Sequence, residues 1–135
     1  RYGVVNWFVR LGMDHNPIPI FGDGKIKRDF VFIDDCIEAI LICGAEEKAV
    51  GEVINVGHDQ PQNFLQVAET LGQIDSSVKW EFVPFSAERK AQEPGDFYSD
   101  ISKIKKICQW TPKTSLLEGL QKTWDYYKDN KSNYW

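Results

Sequence analysis

The chain has 135 residues, 42% of them hydrophobic and 27% charged, the composition of an ordinary globular domain long enough to bury a core. A formal charge of −4 excludes nucleic acid as the main expected partner, because duplex binding needs a basic face. No apolar run approaches the roughly 20 residues of a membrane span, and the scattered Cys36, Cys43 and Cys108 have no metal-ligand spacing, so reduced, mostly buried thiols in a cytoplasmic protein are expected.

Arg1-Tyr2-Gly3 has no initiator Met and runs straight into a helical pattern, which reads as a cut inside a longer protein. Residues 4–15 predict a helix, with Val4, Val5, Phe8, Val9 and Leu11 as its apolar side and Asn16-Pro17 as its end. Pro19 to Phe21 predicts a strand, Asp23-Gly24 a hairpin turn, and the β-branched and aromatic run Phe30 to Ile33 a second, buried strand. Asp34 or Asp35 is then placed to cap a helix over 35–47, in which Ile37, Ile40 and Leu41 share one face. A strand over 52–56, a loop over 57–61 and a helix from an Asn63 cap through Gln73 follow. A further strand is expected over 78–83, with Val78, Trp80 and Phe82 on one side.

Residues 84–100 show no period and hold Arg89, Lys90, Glu93 and Asp96; a loop of that length inside a compact domain is often functional. A short helix over 101–109 stops at Thr111-Pro112, and Ser115 with Glu118 predicts a capping box for a last helix to about Tyr127. No repeat or linker divides the chain, so 1–135 reads as one domain.

Four segments together carry a family resemblance. They are the run from Pro19 to Asp35, Gly51-Glu52-Val53-Ile54-Asn55-Val56-Gly57, the stretch from Pro94 to Lys103, and Trp110 to Leu120. In this order and spacing they resemble the NAD-dependent nucleotide-sugar epimerase/dehydratase family, the extended short-chain dehydrogenases, and specifically their C-terminal, substrate-binding part. The fold implied is α/β, α+β-like, made of helices with short strands, with the Rossmann cofactor half absent. No Gly-x-x-Gly-x-x-Gly follows a first strand, and Gly22-x-Gly24 reads as a turn. The chain is also expected to carry no Tyr-x-x-x-Lys pair for proton transfer beside the nicotinamide. NAD is therefore implied for the parent enzyme, held by a missing N-terminal Rossmann domain, with none expected on this chain and no catalytic or metal-binding residue.

By motif position, the resemblance implies that Pro19, Ile20 and Phe21 line the base of a nucleoside-diphosphate sugar. Arg28 would fork onto the diphosphate, as a guanidinium can. Asn55 would reach the ligand with its amide, and Asp96 would accept from ribose hydroxyls. Each has a plainer alternative: a surface pair of Arg28 with Asp29 or Asp34, turn roles for Asn55 and Asp96, and a core role for Phe21. Many UDP-sugar members carry Arg directly before the Pro-Gly-Asp; Glu93 stands there here, an acid beside an expected diphosphate, and Arg89 or Lys90 would have to replace the missing cation.

The function implied is the substrate-binding portion of an NAD-dependent epimerase or dehydratase such as a UDP-glucose 4-epimerase-like enzyme, incomplete on its own. The alternative is a stand-alone nucleotide-sugar-binding or regulatory module without catalysis. Large apolar stripes on the 35–47 helix and the last helix (Leu116, Leu117, Leu120, Trp124, Tyr127) would, if uncovered, make the chain self-associate.

Overall fold

A computed structural model describes residues 3–134; Arg1 and Tyr2, read above as the start of a cut segment, lie outside them. The first helix, α1 (Val4–Met13), buries Phe8, Val9 and Gly12. It ends where His15 turns left-handed, at φ 55, and the amides of His15 and Asn16 donate back to the carbonyls of Gly12 and Leu11.

Strand β1 (Ile18–Phe21) forms as expected, but the hairpin does not. The turn is present, with Gly24 N donating to Phe21 O. Its left-handed positions are Gly22 (φ 65) and Gly24 (φ 69), split by Asp23, whereas a type I′ hairpin loop needs two in succession. Strand β1 instead pairs in parallel with β4 (Trp80–Val83), from Ile18 opposite Trp80 to Phe21 opposite Val83. Parallel pairing needs a crossover, and the chain supplies two α-helices between the two strands. Ile18 and Ile20 are then fully buried, while the outward β4 residues Trp80 and Phe82 stay exposed, so only Val78 of the expected apolar face is interior.

The short β2 (Lys27–Arg28) pairs antiparallel with β3 (Gln62–Asn63). Phe30 to Phe32 form no strand, and Ile33 opens the helix α2 (Ile33–Ala45). The apolar run is used for packing instead of a ladder: Phe30 packs against one core cluster and Val31 against the other. Neither Asp34 nor Asp35 caps α2; Phe32 stands at the cap position and both acids lie in the first turn, where the helix dipole favours them. The expected strand over 52–56 is also absent, and Ile54 and Val56 pack as single side chains in the second cluster.

The helix α3 (Phe64–Ile74) begins with the reciprocal Asn63–Gln66 capping box. The segment expected to be aperiodic contains α4 (Ala87–Gln92), capped by the Ser86 hydroxyl accepting from Arg89 N. Next come α5 (Ser102–Cys108) and α6 (Leu116–Asn130). At α6 half of the expected box forms: Ser115 Oγ accepts from Glu118 N, while the Glu118 carboxylate turns to Lys122, 2.9 Å away.

Two cores result. One joins α1, β1, α3 and α6 through Phe8, Ile18, Ile20, Val67, Leu71, Leu120, Trp124 and Tyr127. The other joins α2 and α5 through Ala39, Ile101, Ile104, Cys108 and Trp110. Cys43 and Cys108 are free thiols with sulfurs 3.5 Å apart in this second core, and burial, followed by the Cys43 contact, pushes the Cys108 thiol up. Among the described residues no helix is long and apolar enough to cross a membrane, and no cluster of potential metal ligands occurs.

Asp35 connects the helix of one core to the helix of the other. Its carboxylate, 5% exposed, accepts from the amides of Lys113 and Thr114 at 3.1 and 2.9 Å, which sets the approach to α6. Asp35→Ala should lower the unfolding free energy by about 1–3 kcal/mol, because two amides lose a charged acceptor at a site with little water. Asp34→Ala, at the exposed neighbour, should change it by less than about 0.5 kcal/mol. Urea denaturation of both variants checks this; equal effects would contradict the role given to Asp35.

Candidate functional site

A cavity of about 610 Å³ opens between α1, β1, α3 and α4, lined by Trp7, Phe8, Pro19, Phe21, Phe64, Phe85, Arg89 and Glu93 among others. Its apolar walls follow from the fold. Pro19 and Phe21 are the residues of β1 whose side chains alternate away from the core, opposite the buried Ile18 and Ile20. Phe85, two residues past β4, meets Phe21 with ring centroids 5.6 Å apart. Gly22 is required there on two counts: its φ of 65, and a Cβ that would come within 2.8 Å of the Phe85 ring.

The polar groups gather on one side. The α4 helix places the Arg89 guanidinium over the face of Phe21, 4.2 Å from the ring centre. Arg28, at the end of β2, lies 5.5 Å from the ring centre of Phe64, a wall residue. One of its nitrogens, Nη1, donates to the carbonyls of Lys27 and Gly95, both at 2.7 Å. The other, Nη2, donates to Glu93 Oε1 at 2.7 Å, and Glu93 itself lines the cavity. Arg28 therefore pairs with neither Asp29 nor Asp34, the acids considered from sequence.

The Glu93–Phe97 segment is laced to β2 by two more bonds and braced within itself by a third. Lys27 N donates to Asp96 Oδ1 at 2.9 Å, Phe97 N donates to Lys27 O at 3.1 Å, and Gly95 N donates to Glu93 Oε1 at 3.2 Å. Asp96, an exposed residue outside the cavity lining, thus spends one carboxylate oxygen on the backbone.

The expected site residues are only partly brought together. Pro19, Phe21 and Arg89 share the cavity wall, with Arg28 joined to it through Phe64 and Glu93. The Ile20 side chain faces the opposite way, fully buried in the core, so only its backbone is on offer. Asn55 is outside the cavity, exposed, its amide donating to Asp100 O at 3.4 Å. The glycine of that Asn-Val-Gly run has a local reason: a Cβ on Gly57 would fall 2.1 Å from Asp29 Oδ2, which accepts from Ser99 N.

Sequence reasoning missed Trp7, Phe64 and Phe85 as wall residues. Trp7 sits on α1 beside the apolar side already counted, Phe64 follows the Asn63 cap and packs partly against the first core, and Phe85 lay in the segment that seemed to lack structure. It also missed a second opening of about 890 Å³ between the 29–34 segment and α6, lined by Asp29, Phe30, Asp34, Thr114, Lys122, Tyr126 and others.

The expectation that no tyrosine stands four residues before a lysine is wrong on the sequence itself: Tyr127 and Lys131 have that spacing. Both have structural positions. Tyr127 is 8% exposed within the first core, and Lys131 Nζ pairs with Asp14 at 2.7 Å. That pair, with Arg10 nearby, holds the Asp14 carboxyl below its ordinary pKa.

The two apolar stripes also part company. On α6, Leu120, Trp124 and Tyr127 are covered by the chain's own helices, whereas on α2 Ile37, Ile40 and Leu41 are 48%, 61% and 68% exposed.

Residues 4–123 match the model of the family described as GDP-mannose 4,6 dehydratase. The chain is 32% identical over 130 residues to a UDP-N-acetyl-alpha-D-glucosaminuronate decarboxylase of Bacillus cytotoxicus, covering 94% of this chain and 40% of that protein. It is 36% identical over 127 residues to a UDP-glucuronate 4-epimerase of Thermodesulfobacterium geofontis, covering 91% of this chain and 37% of that one. Among solved structures, it resembles the UDP-glucuronic acid 4-epimerase of Bacillus cereus in complex with UDP-glucuronic acid and NAD, with TM-score 0.80 and 31% identity over 95% of this chain and 40% of that one. The chain thus spans about two fifths of the length of the proteins it matches.

Proposed function

Because the chain belongs to the GDP-mannose 4,6 dehydratase family, we propose that it is the nucleoside-diphosphate-sugar-binding part of an NAD-dependent epimerase or dehydratase. The observation that carries this reading is the cavity itself, with aromatic rings and the Arg89 guanidinium on its walls and Arg28 joined to it through Phe64 and Glu93. Phe21 and Phe85 bring aromatic surface to a planar base, while Arg28, its Nη1 spent on the carbonyls of Lys27 and Gly95, has Nη2 to offer a phosphate oxygen in a charge-assisted bond. Asp96, whose Oδ1 is bonded to Lys27 N, would accept from a ligand hydroxyl through its other carboxylate oxygen.

In such an enzyme NAD supplies the hydride chemistry at the sugar. Among the described residues the α-helices open from Gly3, Phe32, Asn63, Ser86, Ile101 and Ser115, and none of these starts is a glycine-rich loop that would cradle a pyrophosphate. The cofactor of the parent is therefore assigned to its other part. The contribution of these residues is orientation: contacts remote from the reacting carbon hold the sugar in one place, and such binding energy lowers the barrier.

The uncovered face of α2 fits the same reading. Ile33, Ile37, Ile40 and Leu41 are exposed together with Leu117 at the start of α6, and a row of large aliphatic residues suits a protein neighbour better than water. We assign this face to the cofactor-binding part of the parent.

Arg28→Ala should weaken binding of UDP by about 1.5–3 kcal/mol in isothermal titration, the range for a hydrogen bond to a charged group. Thermal stability should also fall modestly, since Gly95 O and Glu93 lose their donor. Unchanged affinity with a lowered melting temperature would make Arg28 purely structural. The 135-residue chain on its own should associate at micromolar concentration and bind an apolar dye through the α2 face; a monodisperse monomer in sedimentation, without dye binding, would contradict that assignment.

A further inference from the structure

We propose that Glu93 is a built-in competitor for the diphosphate: its carboxylate occupies Nη2 of Arg28, while Nη1 is held by the carbonyls of Lys27 and Gly95, and a ligand must displace it to engage Nη2. The inference rests on the nucleotide-binding reading and adds to it a residue that sets how strongly, and for how much negative charge, the site binds.

Three observations carry it. The contact is close, 2.7 Å from Nη2 to Oε1, and both side chains are largely withdrawn from water, at 20% and 23% exposure. Charges so placed are screened far less than surface pairs, so an acid at that position lowers the positive potential that a phosphate would feel. Second, Glu93 lines the cavity, so the competing oxygen and an incoming phosphate oxygen reach for the same donor from the same space.

Third, the segment does not need the ion pair to stay in place. Gly95 O accepts from Arg28 Nη1, Asp96 Oδ1 accepts from Lys27 N, and Phe97 N donates to Lys27 O, all independent of the Glu93 carboxylate. Only the Gly95 N–Glu93 contact, at 3.2 Å, is lost with it. Displacement therefore moves one side chain and leaves the backbone next to β2. Arg89, stacked on Phe21 and paired with no acid in the described residues, remains as a second cation to receive charge.

The exchange conserves charge pairing at Arg28: one carboxylate oxygen leaves and one phosphate oxygen arrives. A ligand with two or more phosphate charges gains more from the swap than a monophosphate, and an uncharged nucleoside gains nothing. Glu93 in this position thus selects for highly charged ligands, through an element that repels as well as one that attracts.

The test is titration of the full chain, and of Glu93→Gln and Arg28→Ala/Glu93→Gln, with UDP, UMP and uridine. Glu93→Gln should bind UDP about tenfold more tightly than the natural chain, as expected when one close charge pair is removed from competition. Uridine affinity should be unchanged, and the double variant should lose the gain. Glu93→Ser serves as a second variant, and melting curves show that each is folded. Equal or weaker UDP binding by both Glu93 variants overturns the competitor role while leaving the nucleotide reading standing. A gain that survives loss of Arg28 also overturns it. If neither the natural chain nor any Glu93 variant binds UDP, the nucleotide reading fails and this inference with it.

Discussion

The guanidinium of Arg28 is where the parts of the candidate site meet. It closes β2 against the Glu93–Phe97 segment through Gly95 O, lies over Phe64 at the start of α3, and neutralises Glu93 at the cavity wall. A half-buried cation with three such neighbours is fixed in direction, and a fixed guanidinium is what a phosphate site needs. The same neighbours make its removal costly to the local structure, so binding and stability are coupled at this residue.

Two cores hold that arrangement. The α1–β1–α3–α6 core sets one wall by burying Ile18 and Ile20, which turns Pro19 and Phe21 outward into the cavity. Strand β4, in parallel register with β1, delivers Phe85 opposite Phe21. The α2–α5 core is tied to the first by the Asp35 carboxylate, and presents an aliphatic face that its own chain leaves open. The site and that open face lie on different elements, as a binding part that also joins a larger body would require.

Much of this was legible where a local rule acts alone. The Asn63–Gln66 box and the Ser115 cap lie in consecutive residues and need no partner elsewhere, so α3 and α6 could be read off the chain. The family motifs likewise pointed to Phe21, which lines the cavity, and to Arg28, which adjoins it through Phe64 and Glu93, but also to Asp96, which is not among the lining residues. Failures came where distant residues decide. The Phe21–Gly24 turn is real, but whether β1 takes the next segment or β4 as partner depends on which side the core lies. The 30–33 run has strand composition, yet no segment pairs with it: Phe30 and Val31 pack as single side chains against the two cores and Ile33 already opens α2. The run of charges over 88–93 hid α4 because that helix is exposed all round and has no apolar period to read. The partner of Arg28 is 65 residues away, so sequence offered only the nearer Asp29 and Asp34.

The central claim is that this cavity, and not the larger opening beside α6, takes a nucleoside diphosphate. Backbone-amide NMR of the isotopically labelled chain, titrated with UDP, tests it most directly. The account predicts shifts centred on Phe21, Gly22, Arg28, Phe85, Arg89 and Glu93, with the amides of Val31, Lys122 and Tyr126 unmoved. Shifts centred on the 29–34 segment and α6, or none at saturating UDP, would contradict it.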